Sequence, residues 1–305
     1  MPGAPTRAPG EIIHLDDVRT PRVPDNDGMK YGIILTAGTL DEMIALAAEA
    51  EVSGWDGVFY WDAIAMSGFS PIYDPWVTMA AFATATERVR LGTIITPPSR
   101  RRPWKLAKET ATLDHLSHGR LVLPVGLGVL DDQGYRNTGE VTDLRTRAEM
   151  LDESLEILTR AWTGEPFAFA GTHYQISEMH QQPGSYQQPR IPIWVVGVWP
   201  RPRSVARAFR YDGIIPQYAE DQGIISHATP ERVRAIAEAA QAQRPADAGP
   251  FDIITEGVSP AEDAAAARAQ VAPFAEAGAT WWIESRWQGE TADTLRTRIV
   301  AGPPR

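Results

Sequence analysis

From Met29 onward the chain alternates short apolar runs with amphipathic stretches, and this alternation constrains the fold more than any other feature. The first pair is Lys30–Leu35, a largely apolar run, followed by Leu40–Val52, where apolar residues recur at helical spacing after a possible N-cap at Thr39. Continuous apolar strands separated by amphipathic helices are typical of parallel sheets covered by helices. The alternation reaches the C-terminus with one interruption, at residues 163–190.

Eight strand–helix pairs can be counted along the chain. The predicted strands cover residues 30–35, 57–61, 90–96, 121–127, 191–197, 213–216, 251–255 and 280–284. The predicted helices cover residues 40–52, 75–86, 104–116, 145–162, 203–210, 230–242, 261–277 and 292–300. This count predicts an α/β fold, a closed (β/α)8 TIM barrel, rather than a doubly wound open sheet, which more often has about five or six strands.

The domain organisation follows from the same pattern. Residues 29–305 form one predicted barrel domain, because composition does not change along them. Residues 163–190, rich in Gly, Pro, Gln and His, are a predicted insertion between the fourth helix and the fifth strand, with room for a strand pair. Residues 1–28 are rich in Pro, Asp and Arg without periodicity, which predicts an extended N-terminal arm.

Composition excludes several function classes. A formal net charge of −10 argues against a nucleic-acid partner. A membrane span would need about 18 consecutive apolar residues, which the chain lacks, and the N-terminus has no apolar signal core. The absence of cysteine excludes disulfides and thiolate metal sites. His173 and His180 lack an acidic partner at metal spacing, and His115 and His118 fall at the end of a predicted helix. We therefore expect a cytoplasmic protein that acts on a small molecule without a metal.

Polar residues directly follow several predicted strands. In a (β/α)8 barrel the active site lies at the carboxyl ends of the strands. Thr36 follows the first strand, Asp62 the second, Thr96 the third, Glu256 the seventh, and Glu284 ends the eighth. Asp62 comes immediately after an apolar run, which makes it the candidate catalytic residue, with a capping or loop carboxylate as the alternative.

Two further strand ends indicate a phosphorylated planar ligand. Gly126 and Gly128 would let a flat ring approach the fourth strand closely, unless they only relieve crowding. In "GVWPRPRSV", Gly197 precedes a turn, and Arg201 and Arg203 stand at a helix start, where free amides and guanidinium groups attract anions. An ordinary turn with solvated arginines is the alternative for this corner.

Four segments together resemble the bacterial luciferase-like family of flavin-dependent oxidoreductases. They are "GWDGVFYWD", "DPWVTMAAFATATERVRLGT", "RRPWKLAKETATLDHLSHGRLVLPVGLG" and "GATWWIES". The resemblance extends over about Lys30 to Gly302 and implies a (β/α)8 barrel that binds reduced flavin, or the deazaflavin coenzyme F420, at the strand ends. It also implies a non-proline cis peptide within Gly92–Thr96 and a cofactor pocket shaped on one side by the following loop, which holds Arg100–Arg102.

The resemblance and the strand-end positions select the candidate site residues. Cofactor contacts are expected from Thr36, Thr93, Ile94, Thr96, Arg102, Gly126, Gly128, Val196, Gly197, Val198, Arg201 and Arg203. Substrate contacts are expected from Trp199, Tyr218 and Glu284. Many deazaflavin-using members carry a histidine after the acidic position that Asp62 matches, and here Ala63 stands instead.

These observations predict a monooxygenase that uses reduced FMN and oxygen on a small organic substrate. A separate flavin reductase as partner and a homodimer are further expectations. The first alternative is a deazaflavin-dependent dehydrogenase or reductase. The second is a cofactor-free barrel hydrolase, which would need Asp62 paired with Glu256 or Glu284, or a flavin-binding protein without turnover.

Overall fold

The computed structural model describes residues 28–69, 71–220, 223–225 and 227–305, so the predicted N-terminal arm lies outside the described residues apart from Gly28. The strands are β1 Lys30–Ile34, β2 Gly57–Tyr60, β3 Arg90–Thr93, β4 Leu123–Val125, β5 Phe167–Ala170, β6 Gln175–Met179, β7 Ile193–Trp199, β8 Gly213–Glu220, β9 Gly223–Ile225, β10 Asp252–Gly257 and β11 Trp281–Glu284. The helices are α1 Leu40–Val52, α2 Pro75–Ala85, α3 Pro103–Leu116, α4 Gln133–Arg136, α5 Leu144–Ala161, α6 Pro202–Ala208, α7 Pro230–Gln243, α8 Ala264–Glu276 and α9 Ala292–Val300.

The helices begin where local sequence provides a cap. The Thr39 side chain accepts from the Glu42 amide, and Glu42 reaches back to the Thr39 amide, so the predicted cap forms a capping box. Asp74 caps α2 ahead of Pro75, a residue tolerated in the first turn of a helix. None of the helices in the described ranges is long and apolar enough to cross a bilayer.

The strands of the described chain form a closed parallel barrel. The hydrogen-bonded order is β3-β2-β1-β11-β10-β8-β7-β4, and two isolated parallel bridges, Leu91 to Leu121 and Thr96 to Val125, join β4 back to β3. The predicted (β/α)8 barrel is therefore confirmed, and the open doubly wound sheet is excluded. The predicted insertion contains the antiparallel hairpin of β5 and β6.

One strand differs from prediction in a way that matters for the site. The sequence predicts that the sixth barrel strand, β8, ends at Pro216, but the strand continues to Glu220, where it pairs antiparallel with β9. Proline lacks only its own amide hydrogen, so a strand can continue past it when the neighbours supply the remaining hydrogen bonds. Tyr218 consequently lies inside a strand and not after one.

The register identifies which side chains point into the barrel. The rings of Phe59, Trp194 and Trp281 meet inside it, with centroids 5.2–6.0 Å apart. Because side chains alternate along a strand, positions two and four residues further on also face inward. This rule places Val196 and Glu256 on the inner surface, near the carboxyl ends of the strands. We call the opening of the barrel at these carboxyl ends the barrel mouth.

Candidate functional site

The end of β3 has the backbone geometry that the family resemblance implies. The Ile94–Ile95 peptide is cis and lies within Gly92–Thr96, which confirms that expectation. Thr93 and Thr96 are fully buried, and their hydroxyl groups are in contact. The Thr96 amide donates to the Pro124 carbonyl over 2.9 Å, so this segment is tied to β4.

The two glycines after β4 are enclosed by neighbouring side chains. A Cβ atom on Gly126 would lie 2.3 Å from Cδ1 of Ile95 and 3.0 Å from Cγ2 of Val196. Gly128 has φ +74°, and a Cβ there would lie 2.3 Å from the Tyr135 hydroxyl. The geometry supports the crowding explanation for both glycines, and their contact with a cofactor ring stays a prediction.

Replacing Gly128 with alanine should lower the free energy of unfolding by about 2–3 kcal/mol, because a left-handed backbone and a steric clash add together. Gly139 is the matched control, since its φ is +78° but nothing lies within 4 Å of the position that a methyl group would occupy there. Gly139→Ala should cost only about 1 kcal/mol. Urea unfolding of both variants measures the difference, and equal losses would show that Tyr135 yields without cost.

Asp62 lies at the centre of a buried ion cluster, which we call the Asp62 cluster and which comprises Asp62, Arg100, Arg101 and Asp132. Arg100 Nη2 donates to Asp62 Oδ1 over 2.8 Å, and Arg101 Nε donates to Oδ2 over 2.9 Å. Arg100 also pairs with Asp132 through its other terminal nitrogen. The side chains of Asp62, Arg100 and Arg101 are 0%, 5% and 16% exposed, so these ion pairs are largely shielded from solvent.

The cluster ties together three chain segments that are distant in sequence. Asp132 caps α4 and accepts hydrogen bonds from the amides of Ile64 and Ala65, after β2, while Arg100 lies after β3. Burial raises the pKa of Asp62, against the effect of Arg101 and Arg100. Since both of its oxygens are engaged and it is closed to solvent, the arrangement suits an anchor. A catalytic role for Asp62 stays a prediction.

Glu284 is held in a second buried network, away from the barrel interior. Its carboxylate accepts from the Ser259 amide over 2.9 Å and from the Ser259 hydroxyl over 2.7 Å. Arg286 and Arg298 lie 3.1 and 3.5 Å from it. Glu284 follows the inward-facing Ile283, so alternation directs it to the outer side of β11. The structure does not bring it to the mouth as a substrate contact.

Trp199 and Tyr218 also point away from the barrel interior. They are register partners on β7 and β8, one residue beyond the inward-facing pair Val198 and Gln217. Arg232 of α7 lies 4.8 Å above the Tyr218 ring, which is 2% exposed. Burial raises the pKa of Tyr218 to about 12. Trp199 is the last residue of β7, whereas Tyr218 lies within β8 and packs against Arg232 of α7. Substrate contacts from these two residues stay a prediction.

An aromatic cluster follows β2 at the mouth. The Trp61 ring lies 5.1 Å from Phe69 and 5.9 Å from Trp287, measured between centroids. Trp61 Nε1 is buried and has no hydrogen-bond partner within the described ranges. Nearby, the Thr36 hydroxyl donates to the Arg286 carbonyl over 2.6 Å. This wall can exclude water from the mouth and offers one unused donor.

Glu256 has surroundings that the sequence did not reveal. It contributes to the β8–β10 crevice, which is lined by Ile215, Pro216, Gln217, Ala228, Ile254, Thr255 and Glu256. The residue keeps some accessible surface, yet burial raises its pKa to about 7. In the sequence, Glu256 is marked only as a carboxylate at the end of an apolar strand. That position predicted it only as a partner of Asp62 in a carboxylate pair.

Exposed arginines follow two of the barrel strands, β7 and β3, which are separated by β4. Arg201 is the N-cap residue of α6 after β7, Arg203 lies in its first turn, and Arg102 is the N-cap residue of α3 after β3. All of them are exposed. In the part of the chain that the structure describes, none of them has a carboxylate partner, in contrast with Arg100 and Arg101. We call Arg201 and Arg203 the rim arginines.

The sequence pattern of a known family matches nearly the whole barrel. The luciferase-like monooxygenase family model covers residues 24–300. This chain belongs to the luciferase-like monooxygenase family. Members of this family are oxidoreductases, and the barrel with its β5–β6 insertion is the family's domain in this chain.

Curated relatives share part of this luciferase-like chain. An uncharacterised protein of Mycobacterium tuberculosis is 38% identical over 126 residues, covering 40% of this chain and 42% of that protein. An F420-dependent glucose-6-phosphate dehydrogenase of Gordonia bronchialis is 31% identical over 182 residues, covering 56% and 52%. The chain thus spans about half the length of the curated relatives it matches.

Solved luciferase-like structures agree in fold. An F420-dependent secondary alcohol dehydrogenase has TM-score 0.72 at 18% identity, over 90% of this chain and 97% of that one. Monooxygenase RslO1 from Streptomyces bottropensis has TM-score 0.69 at 23% identity, over 90% and 98%. At these identities the likeness establishes the barrel alone. The comparisons therefore support an oxidoreductase without deciding between FMN and F420.

Proposed function

We propose that this chain is a deazaflavin-dependent oxidoreductase that binds coenzyme F420 at the barrel mouth and exchanges a hydride with a small organic substrate. The observation that carries the proposal is the pair of rim arginines, exposed beside the carboxyl end of β7 with no carboxylate partner among the described residues. The similarity to F420-dependent dehydrogenases supports the choice of cofactor. This choice replaces FMN, our first expectation from sequence.

The rim arginines fit an anionic cofactor tail. Guanidinium groups bind phosphate in a forked geometry, and each charge-assisted hydrogen bond contributes about 1.5–3 kcal/mol. The F420 tail carries glutamates besides phosphate, so it offers more negative charge than FMN does. The corner that presents the rim arginines is itself ordered, because the Val198 amide donates to the Ser204 hydroxyl over 2.9 Å.

The remaining residues of the mouth would position the cofactor ring and exclude water from it. Bound F420 supplies hydride transfer chemistry. Val196 and Val198 present apolar side chains from β7. The aromatic cluster of Trp61, Phe69 and Trp287 lies across the mouth, near β2. Apolar walls of this kind expel water and strengthen electrostatic interactions inside a site.

An FMN-dependent monooxygenase is the second candidate. The observation that favours it is Ala63, where many deazaflavin-using relatives have a histidine next to the acidic position matched by Asp62. Without this histidine, a deazaflavin-dependent reaction in this chain needs another group to transfer the proton.

Anaerobic titration with F420 and with reduced FMN tests the proposal. We expect F420 to bind more tightly than FMN, with an affinity that falls more steeply with salt. The Arg201→Ala, Arg203→Ala double variant should weaken F420 binding by about 10- to 100-fold, which corresponds to about 1.4–2.7 kcal/mol. Arg268→Ala is the matched control, because Arg268 is exposed and influences Tyr31 at the opposite end of the barrel.

Three outcomes would contradict the proposal. Binding of reduced FMN with oxygen consumption, and no binding of F420, selects the monooxygenase. If the double variant and Arg268→Ala lose F420 affinity equally, the rim arginines do not belong to the cofactor site. A dissociation constant above about 1 mM for both cofactors rejects the whole class.

A further inference from the structure

The carboxyl group of Glu256 is placed inside the barrel mouth by the sheet register. Glu256 pairs with Ile283 on β11, two residues beyond the pair formed by Ile254 and the inward-facing Trp281. On the other side, Asp252 pairs with Gly213 of β8, and Glu256 and Gln217, each four residues further along its strand, both line the β8–β10 crevice. The carboxyl group therefore projects into the β8–β10 crevice and not towards the helices.

The other acidic groups near β10 are already engaged. Asp252, on the same strand, accepts from Trp194 Nε1 over 3.1 Å and from the Thr280 hydroxyl over 2.8 Å. Glu284 of β11 is bound by Ser259 and the flanking arginines on the outer side. Asp62 is neutralised within its own cluster.

No charged group in the described chain offsets the Glu256 carboxyl. The crevice otherwise holds apolar, amide and hydroxyl side chains. From α7, Arg232 is directed to the Tyr218 ring and to Glu220. Burial is the cause of the raised pKa of Glu256, with no charged neighbour contributing. A carboxyl group without a partner in a site of this kind is free to exchange a proton with a bound molecule.

We propose that Glu256 is the catalytic acid–base of the barrel mouth and that its substrate is an uncharged alcohol or the corresponding carbonyl compound. This inference rests on the proposed hydride-transferring function and supplies the proton-transfer group that Ala63 leaves unfilled. A phosphate-bearing substrate is disfavoured, because none of the described residues that line the crevice is cationic. The relatives named as glucose-6-phosphate dehydrogenases would then differ from this chain in substrate.

The proposed step balances in atoms and charge. During alcohol oxidation the C–H bond breaks with its electron pair, which leaves as hydride to oxidised F420. The O–H bond breaks as its proton passes to the Glu256 carboxylate, and a C=O bond forms. In the reverse direction the protonated carboxyl group returns the proton to the carbonyl oxygen. A carboxyl group whose pKa lies near 7 can serve in both directions at neutral pH.

Two measurements on the full-length protein test this inference. The first is anaerobic hydride transfer from 2-propanol, cyclohexanol, glucose and glucose 6-phosphate to F420, across pH 5–9, in wild type, Glu256→Gln and Glu256→Asp. The second is infrared spectroscopy of the carboxyl C=O band against pH, which needs neither cofactor nor turnover. Glu262→Gln is the matched control, because Glu262 is exposed in the loop after β10.

We expect the uncharged alcohols to be oxidised faster than glucose 6-phosphate. Glu256→Gln should slow hydride transfer by about 10²- to 10⁴-fold and remove an ionisation near pH 7, while F420 affinity changes less than about 2-fold. Glu256→Asp should recover part of the rate. The infrared band of a carboxyl group titrating near pH 7 should be present in wild type and in Glu262→Gln, and absent in Glu256→Gln.

The failures of the two proposals can be told apart. If wild type does not bind F420, the proposed function fails. In that case the infrared titration still tests the site, and the absence of a Glu256-dependent band near pH 7 overturns the acid–base assignment. If F420 binds but Glu256→Gln keeps its rate and pH profile, the assignment is also overturned. Oxidation of glucose 6-phosphate in preference to the alcohols overturns the substrate class.

Discussion

Replacing Arg100 with methionine is expected to lower the free energy of unfolding by about 3–5 kcal/mol. Arg100 alone contacts both carboxylates of the Asp62 cluster, and its side chain is 5% exposed. Removing it leaves Asp62 and Asp132 buried with only part of their compensation. Breaking a buried pair by deleting one partner is costly for this reason, even where the intact pair adds little net stability.

The measurement is urea unfolding at pH 7, with Lys105→Met as the matched control. Lys105 pairs with Glu109 on the same helix, but its side chain is 66% exposed, so its loss should cost less than about 0.5 kcal/mol. Asp62→Asn should be destabilised in the same direction as Arg100→Met. If both cluster variants were as stable as the control while turnover was abolished, Asp62 would act in catalysis and not as an anchor.

Replacing Glu256 with glutamine is expected to stabilise the protein at alkaline pH by up to about 3 kcal/mol. The pKa of this carboxyl group is raised from 4.5 to about 7 in the folded protein. Because the pKa is raised, the contribution of Glu256 to the free energy of unfolding is fully present below pH 4.5 and is lost as pH rises through about 7. The size follows from about 1.4 kcal/mol per tenfold change in proton affinity.

Urea unfolding of wild type and Glu256→Gln at pH 4.5, 6, 7 and 8 checks this prediction. The difference in unfolding free energy between the two proteins should grow with pH in favour of the variant and level off above pH 8. Glu262→Gln should show no such trend, because Glu262 is exposed. A difference that stays constant over this range would mean that Glu256 ionises at its ordinary pKa.

The two predictions concern carboxyl groups that look alike in sequence. Asp62 and Glu256 each follow or end an apolar strand of the barrel. The structure surrounds Asp62 with guanidinium groups, whereas Glu256 has none beside it among the described residues. Removing Arg100, the partner of Asp62, is therefore expected to lower the free energy of unfolding. Removing the charge of Glu256 is expected to raise it.

The architecture could be read from the sequence because its signals are local. The apolar run at Lys30–Ile34, the helical spacing of Leu40–Val52 and the cap at Thr39 all lie within a few residues of the element they specify. Eight repetitions of that local pattern leave few ways to bury the apolar strands, and the closed barrel is the one observed. The cis peptide within Gly92–Thr96 was reached only through the family resemblance.

The assembly of the site depended on tertiary structure. Side chains alternate across a strand, so an error of one residue in the register of a strand end reverses the direction in which a residue points. Tyr218 faces a helix for this reason, because β8 continues beyond Pro216. Asp62, Arg100 and Asp132 meet although they are 32 to 70 positions apart, and no local pattern records such a contact. By itself the sequence determined which strand ends carry polar groups. The packing around those groups decided which carboxylate is compensated by arginine and which has no charged partner among the described residues.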